Sequence, residues 1–193
     1  MNHNGRIKKE EFVVLVDKKD RVIGIAPKAT VHTKDTPLHR AFSLYIFNQQ
    51  GEVLVQQRKK EKITWGGFWS NSCCGHPAPG ESRKEAAKRR SFQELGIAVE
   101  DIEKMADYRH RFEHDNVVEN EICPIFVGIA RDSHITPSPG EIEKFQWVSW
   151  SGFLQDIKEK KAEYSPWSKE QVPILSASSQ FQEWLKRNSL QLV

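Results

Sequence analysis

The chain has 193 residues, 38% of them hydrophobic and 28% charged, and its 29 basic and 26 acidic side chains leave a net charge of +3. That length suits one domain burying about 70% of its unfolded surface. The charge is too evenly spread for a nucleic-acid arm, and no apolar run is long enough to span a membrane. The expected organisation is a single domain over 1–193, with a flexible N-terminus of about ten residues and a C-terminal helical tail. The N-terminal stretch MNHNGRIKKEEF has no apolar signal core, and adjacent Cys73 and Cys74 would form a strained bridge, so a reducing, cytoplasmic setting is expected.

In chain order, FVVLVD and VIGIA flank turn residues Lys18 to Asp20 and read as a hairpin. AFSLYIFN and EVLVQQR around QQG read as a second hairpin, with Phe42, Leu44 and Ile46 alternating onto one face. SRKEAAKRRSFQEL reads as a helix that opens on a capping box of Ser82 and Glu85 and closes at Gly96. EKMADYRHRF and VVENEICPIFVGIA read as one long strand pair joined near Asp115 and Asn116. EKFQWVSW follows as a strand and Ser151 to Lys161 as a helix. The tail from Ser165 holds a last amphipathic helix, with Phe181, Trp184 and Leu185 at helical spacing. A mixed sheet with flanking helices is the α+β class.

The stretch NSCCGHPAPGES sets Cys73, Cys74 and His76 against a turn. A zinc knuckle would need a second pair of soft ligands, and Cys123 stands alone. On a locally extended chain Cys74 and His76 leave one face and Cys73 the other, and the same period places Glu119 and Glu121 together on a strand face. Singly, each histidine reads as an ordinary surface or packing residue. His3, His114 and His134 join no constellation, and Cys73, Trp147, Trp150 and Trp184 read as packing.

Gly75, five residues, Glu81, seven residues, Arg89 and then Glu94-Leu95-Gly96-Ile97 resemble the frame of the Nudix box. The resemblance implies a Nudix-like α/β/α sandwich that holds a metal over a diphosphate. Arg90 stands where Nudix hydrolases carry a glutamate, and Gln93-Glu94 where they pair two, which implies that the hydrolytic metal cluster is dismantled. VHTKDTPLHRAFS, TWGGFWSNSCCGHP, VVENEICP and YSPW, in that order, resemble the motifs of type I isopentenyl diphosphate isomerases from about Phe12 to Trp167.

That resemblance implies interconversion of isopentenyl and dimethylallyl diphosphate by proton addition and removal through a tertiary carbocation. It implies a Mn2+ or Zn2+ site of His32, His39, His76, Glu119 and Glu121, and a diphosphate-bridging Mg2+ at Glu94. Cys74 and Glu121 are the implied proton-transfer groups. His110 stands where the family usually has a tyrosine, as a helper residue. Lys28, Arg58, Lys62 and Arg90 are the implied diphosphate ligands, and Trp167, with Trp65 or Trp69 as further candidates, the carbocation's aromatic neighbour. The expected partner is a small-molecule diphosphate, without nucleic acid or membrane, bound by a monomer or, alternatively, a dimer. A Nudix hydrolase and a non-catalytic diphosphate-binding module are the rival readings.

Overall fold

A computed structural model describes residues 10–160 and 162–192. The expected flexible N-terminus, with His3, lies outside the described residues except for its last position, and Lys161, at the end of the second predicted helix, lies outside them too. The chain runs β1 (Phe12–Val16), β2 (Val22–Pro27), a one-turn α1 (Lys28–Val31), β3 (His39–Arg40), β4 (Phe42–Phe47), β5 (Glu52–Arg58), β6 (Trp69–Ser70) and β7 (Cys73–Gly75). After α2 (Arg83–Leu95) come β8 (Val99–Ala106), β9 (Arg109–His114), β10 (Val117–Ile122), β11 (Ile125–Ala130) and β12 (Ile142–Ser149). Three helices close the chain: α3 (Trp150–Glu159), α4 (Pro166–Ser176) and α5 (Ser179–Arg187).

Two sheets result, ordered β2-β1-β3-β10-β9 and β12-β5-β4-β11-β8. The central strands of the second, β4 and β11, are buried on both faces, as expected of a sheet with helices on either side. Phe42, Leu44 and Ile46 of β4 pack with Ala86, Ala87 and Leu95 of α2. Tyr45 and Phe47 face the other way, into Trp150, Phe153, Val172, Leu175, Phe181 and Trp184 from the three C-terminal helices. This is the expected α/β/α sandwich of the α+β class. Helix α2 carries the predicted capping box between Ser82 and Glu85, and Gly96 ends it in the left-handed conformation at φ 72°.

Three expectations need correction. The second hairpin is paired only at Phe47 and Val53. Ser72 enters between its arms, accepting from the Ile46 N–H at 2.7 Å and donating to the Leu54 carbonyl at 2.6 Å. Beyond that wedge β4 pairs with β7 and β11, and β5 with β6 and β12. The long strand pair is two pairs in different sheets: β9 with β10, and β8 with β11. The chain changes sheet at Cys123-Pro124, where proline has no N–H to continue a ladder. The tail holds two helices, because Pro166 at the N-terminus of α4 starts a helix of its own and Ser178 caps a second.

Candidate active site

The first sheet brings the histidines to the glutamates. Strand β3 lies parallel to β10 with His39 opposite Glu121, and β9 places His110 opposite Glu121 from the other side. His32 follows α1 and His76 follows β7. Among the described residues, His32, His39, His76 and Glu121 each offer one ligand atom within 4.8 Å of the others. His39 Nε2 is 3.2 Å from His76 Nε2, and Glu121 Oε1 lies 2.9 Å from His76 Nε2 and 3.3 Å from His39 Nε2. Metal bonds of about 2.1 Å radiating from one centre space their ligands by roughly 3.0 to 3.4 Å, so the set has the dimensions of a coordination shell.

The chemistry of the donors agrees. His39 Nδ1 is 2.9 Å from the Pro37 carbonyl, which only accepts, so a proton on Nδ1 is the tautomer that would turn the Nε2 lone pair toward a metal in the cluster. Burial lowers the pKa of His32, and lowers that of His76 to about 4, leaving both as neutral imidazoles. Burial opposes charge on His39 too, but Glu121 outweighs it and raises the pKa. Glu121 itself is held well below the usual carboxylate range, against its burial, by His39 and His76. His32 Nε2 is buried without a hydrogen-bond partner, the kind of orphan that a cation satisfies. The residues fit a divalent metal. Glu119 lies outside this four-residue set; its Oε2 is 3.8 Å from His110 Nε2, and it lines the same cavity.

Cys74 reaches that cavity from the second sheet. Its thiol donates to Asn71 Oδ1 at 3.1 Å and lies 3.6 Å from Ser43 Oγ. Burial pushes the thiol up to about 12, so it is protonated at neutral pH. Cys73, one residue earlier, is fully buried against α2. Asn71 also accepts from Trp167 Nε1 at 3.0 Å and donates to the Leu44 and Cys73 carbonyls, so one buried amide positions both the thiol and the indole. Gln171 donates to Ser43 Oγ at 3.0 Å, and Cys123 lies 3.4 Å from the same oxygen. The His110 ring stacks on Phe112 and Trp167 at centroid distances of 5.0 and 6.1 Å, with Nε2 3.5 Å from Glu121 Oε2.

Trp65 and Trp69 do not reach the cavity wall. Trp65 stands edge-on behind Trp167 at 5.5 Å, stacked on His114, and Trp69 packs against the core. Trp150 and Trp184 are core residues, Trp147 packs against the α2 core, and His134 is exposed.

The basic residues line the same cavity, of about 860 Å³. Arg58 lies over Trp167 at 5.4 Å and donates to the Thr64 carbonyl and hydroxyl. Lys28 pairs with Glu11 at 2.6 Å. Arg90 bonds Glu94 one turn along α2, its Nε at 2.9 Å, and pairs with Glu141 at 3.1 Å; Lys62 pairs with the other oxygen of Glu141. Burial works against the Glu141 charge, but Lys62 and Arg90 prevail and hold the carboxyl down at about 2. Arg89 instead grips Glu81 through two bonds of 2.7 Å, bracing the loop before α2.

The cavity thus collects Lys28, Arg58, Lys62, Arg90, Glu94, Trp167, Cys74 and His110 with His32, His76, Glu119 and Glu121, while His39 reaches the cluster from behind. Sequence reasoning missed Asn71, Ser43, Gln171 and Glu141. Asn71 and Ser43 stand within quoted motifs, but Gln171 and Glu141 carry no local pattern.

The NUDIX domain family matches residues 37–168. The isopentenyl-diphosphate Delta-isomerase of Clavibacter michiganensis subsp. michiganensis is 47% identical over 167 residues, 86% of either chain. That of Saccharopolyspora erythraea is 46% identical over 84% of either chain. A crystal structure of a Deinococcus radiodurans protein shares the fold, with a TM-score of 0.66 over 84% of this chain and 98% of its own at 19% identity. No helix among the described residues is long and apolar enough to cross a membrane. On identity sustained over most of its length, the chain belongs to the type I isopentenyl-diphosphate Delta-isomerase family within the NUDIX superfamily.

Proposed function

We infer that the chain is an isomerase interconverting isopentenyl and dimethylallyl diphosphate, with Cys74 and Glu121 as its proton-transfer groups. The observation that carries the residue roles is that these two groups reach one cavity from different sheets. The reaction adds a proton to the terminal alkene carbon and removes one from the allylic carbon, so the double bond moves by one position and atoms balance. An unactivated alkene is a weak base, and the acid must be held close in a site closed to water. The Cys74 thiol, protonated and aligned by Asn71, holds one transferable proton. Glu121, with His110 beside its second oxygen, serves the other carbon. The Trp167 ring, fixed through Nε1, faces the developing tertiary cation, an interaction worth about 1 to 2 kcal/mol when desolvated.

In this reading His32, His39, His76, Glu119 and Glu121 would hold Mn2+ or Zn2+, whose charge would polarise the Glu121 carboxyl. Glu94, whose first oxygen is held by Arg90, would contribute a carboxylate to Mg2+, which would supply charge neutralisation for the diphosphate, and Lys28, Arg58, Lys62 and Arg90 would take the diphosphate oxygens. In this reading the protein acts in the cytoplasm as a monomer, with a dimer as the alternative.

Incubation of the purified protein with isopentenyl diphosphate and magnesium, followed by chromatography, tests the function. Dimethylallyl diphosphate without phosphate release is expected. Phosphate release without the allylic product would make it a hydrolase, and binding without turnover a non-catalytic module.

A further inference from the structure

We propose that Glu141 is an internal occupant of the anion site, displaced when the substrate's diphosphate binds, and that its charge screens out weaker anions. The inference rests on the assignment of Lys62 and Arg90 to the diphosphate.

The geometry is that of a small anion already in place. Glu141 spans two cations from separate segments, one oxygen on Arg90 at 3.1 Å and the other on Lys62. Such bridging is what a diphosphate's oxygens do on arrival. The backbone of Glu141 is pinned, its N–H donating to the Ser138 carbonyl at 3.0 Å and its carbonyl accepting from the Lys59 N–H at 3.0 Å, so only the side chain has to move. That side chain is 27% exposed at the cavity wall and has solvent to swing into. The two cations differ in what they lose. Arg90 keeps Glu94 when Glu141 departs, whereas Lys62 has Glu141 as its one ion-pair partner among the described residues.

A resident carboxylate sets a threshold. The incoming anion must replace both of its contacts and also tolerate its charge a few ångströms away. A diphosphate, with more charge and more oxygens, meets that requirement; a singly charged carboxylate gains nothing by the exchange. Discrimination thus comes from a built-in competitor as well as from the cations themselves.

The test uses the full-length chain and inorganic pyrophosphate at fixed magnesium, titrated calorimetrically. Glu141→Gln keeps the side chain's shape and removes its charge. Glu143→Gln, two residues on and inside β12, removes an equal charge whose partner Lys59 lies 2.9 Å away outside the cavity, and serves as the control. Pyrophosphate should bind about tenfold or more tightly to Glu141→Gln, and within about twofold of wild type to Glu143→Gln. A variant damaged in structure would lose affinity, so a gain cannot come from misfolding. Should Glu141→Gln not fold, Glu141→Ala is predicted to shift affinity the same way. Absence of binding to wild type would sink the diphosphate assignment itself. Binding to wild type that is unchanged or weakened in the Glu141 variants would overturn the present inference alone.

Discussion

Replacing each member of the Cys73-Cys74 pair by alanine separates chemistry from packing within one dipeptide. Both thiols are neutral and shielded, yet their surroundings differ. Cys73 is 0% exposed among Phe42, Leu44, Ala86 and Ala87, and its truncation leaves a void one sulfur atom wide. That void costs about 1 kcal/mol, a fall of roughly 2 to 4 °C in melting temperature for a domain of this size. Turnover should be unaffected. Cys74 makes its contacts with Asn71 and Ser43 on the cavity wall. Its loss removes a positioned proton carrier, expected to lower kcat by about two to four orders of magnitude. KM should hold within a few-fold, because Lys62 and Arg90, the proposed diphosphate ligands, sit on other segments. Steady-state formation of dimethylallyl diphosphate and a thermal melt read the two effects independently. An inactive Cys73→Ala with an active Cys74→Ala would refute the assignment, and normal turnover in both would remove the thiol from the mechanism.

Three further outcomes follow from individual contacts. His39→Ala should lose the tightly held transition metal, measured by elemental analysis after mild dialysis; wild-type content would dismiss the His/Glu site. Because burial raises the Cys74 thiol to about 12, iodoacetamide should alkylate it slowly at pH 8, about tenfold faster with each pH unit toward that value. Rapid labelling at pH 8 would show an ionised thiol and contradict the protonated state used here. Gly128→Ala in β11 would set a Cβ 2.5 Å from Val99 Cγ1 and 3.1 Å from Ile102 Cγ1, an overpacking expected to cost about 1 to 3 kcal/mol. A variant melting with wild type would mean that β8 yields there.

Local patterns in the chain were legible where neighbours in sequence remain neighbours in space. The capping box of Ser82 and Glu85, the glycine at Gly96 and the alternation along β4 are decided by contacts within a few residues. The second hairpin was misread for the opposite reason. Its turn sequence is a good one, but Ser72 competes for the same ladder positions and wins by bonding both strands at once. Nothing within AFSLYIFNQQGEVLVQQR announces a serine that bonds Leu54 and Ile46 from 18 and 26 residues away. The tail was under-read because α4 mixes buried Trp167, Ser168, Gln171, Val172 and Leu175 on its inner side. Two polar residues in that stripe blur the helical period, and they are polar because they serve the site: Gln171 holds Ser43, and Ser168 holds the Asn71 N–H.

The breaks in regular pairing are also what assemble the site. An unbroken strand from β10 into β11 would keep Glu119 and Glu121 in the sheet that carries Ile125 and Val127 into the hydrophobic core. Pro124 ends one ladder, Ala41 and Ser43 pick up the Ile122 and Pro124 carbonyls at 3.0 and 3.2 Å, and the chain passes from the first sheet to the second. Glu121 therefore stays beside His39 in the first sheet, while Ser43, three residues beyond Arg40, already belongs to the second. The Ser72 wedge performs the matching operation on the other wall: by prying β5 from β4 it frees the β4 edge for β7, and the Ser43–Cys74 pairing puts the thiol there. Cys74 and Glu121, the proposed proton-transfer groups, thus face one cavity from two sheets because each sheet gives up part of its ladder at that point. A sequence reading that favours continuous strands misses both interruptions, and they are where the cavity opens.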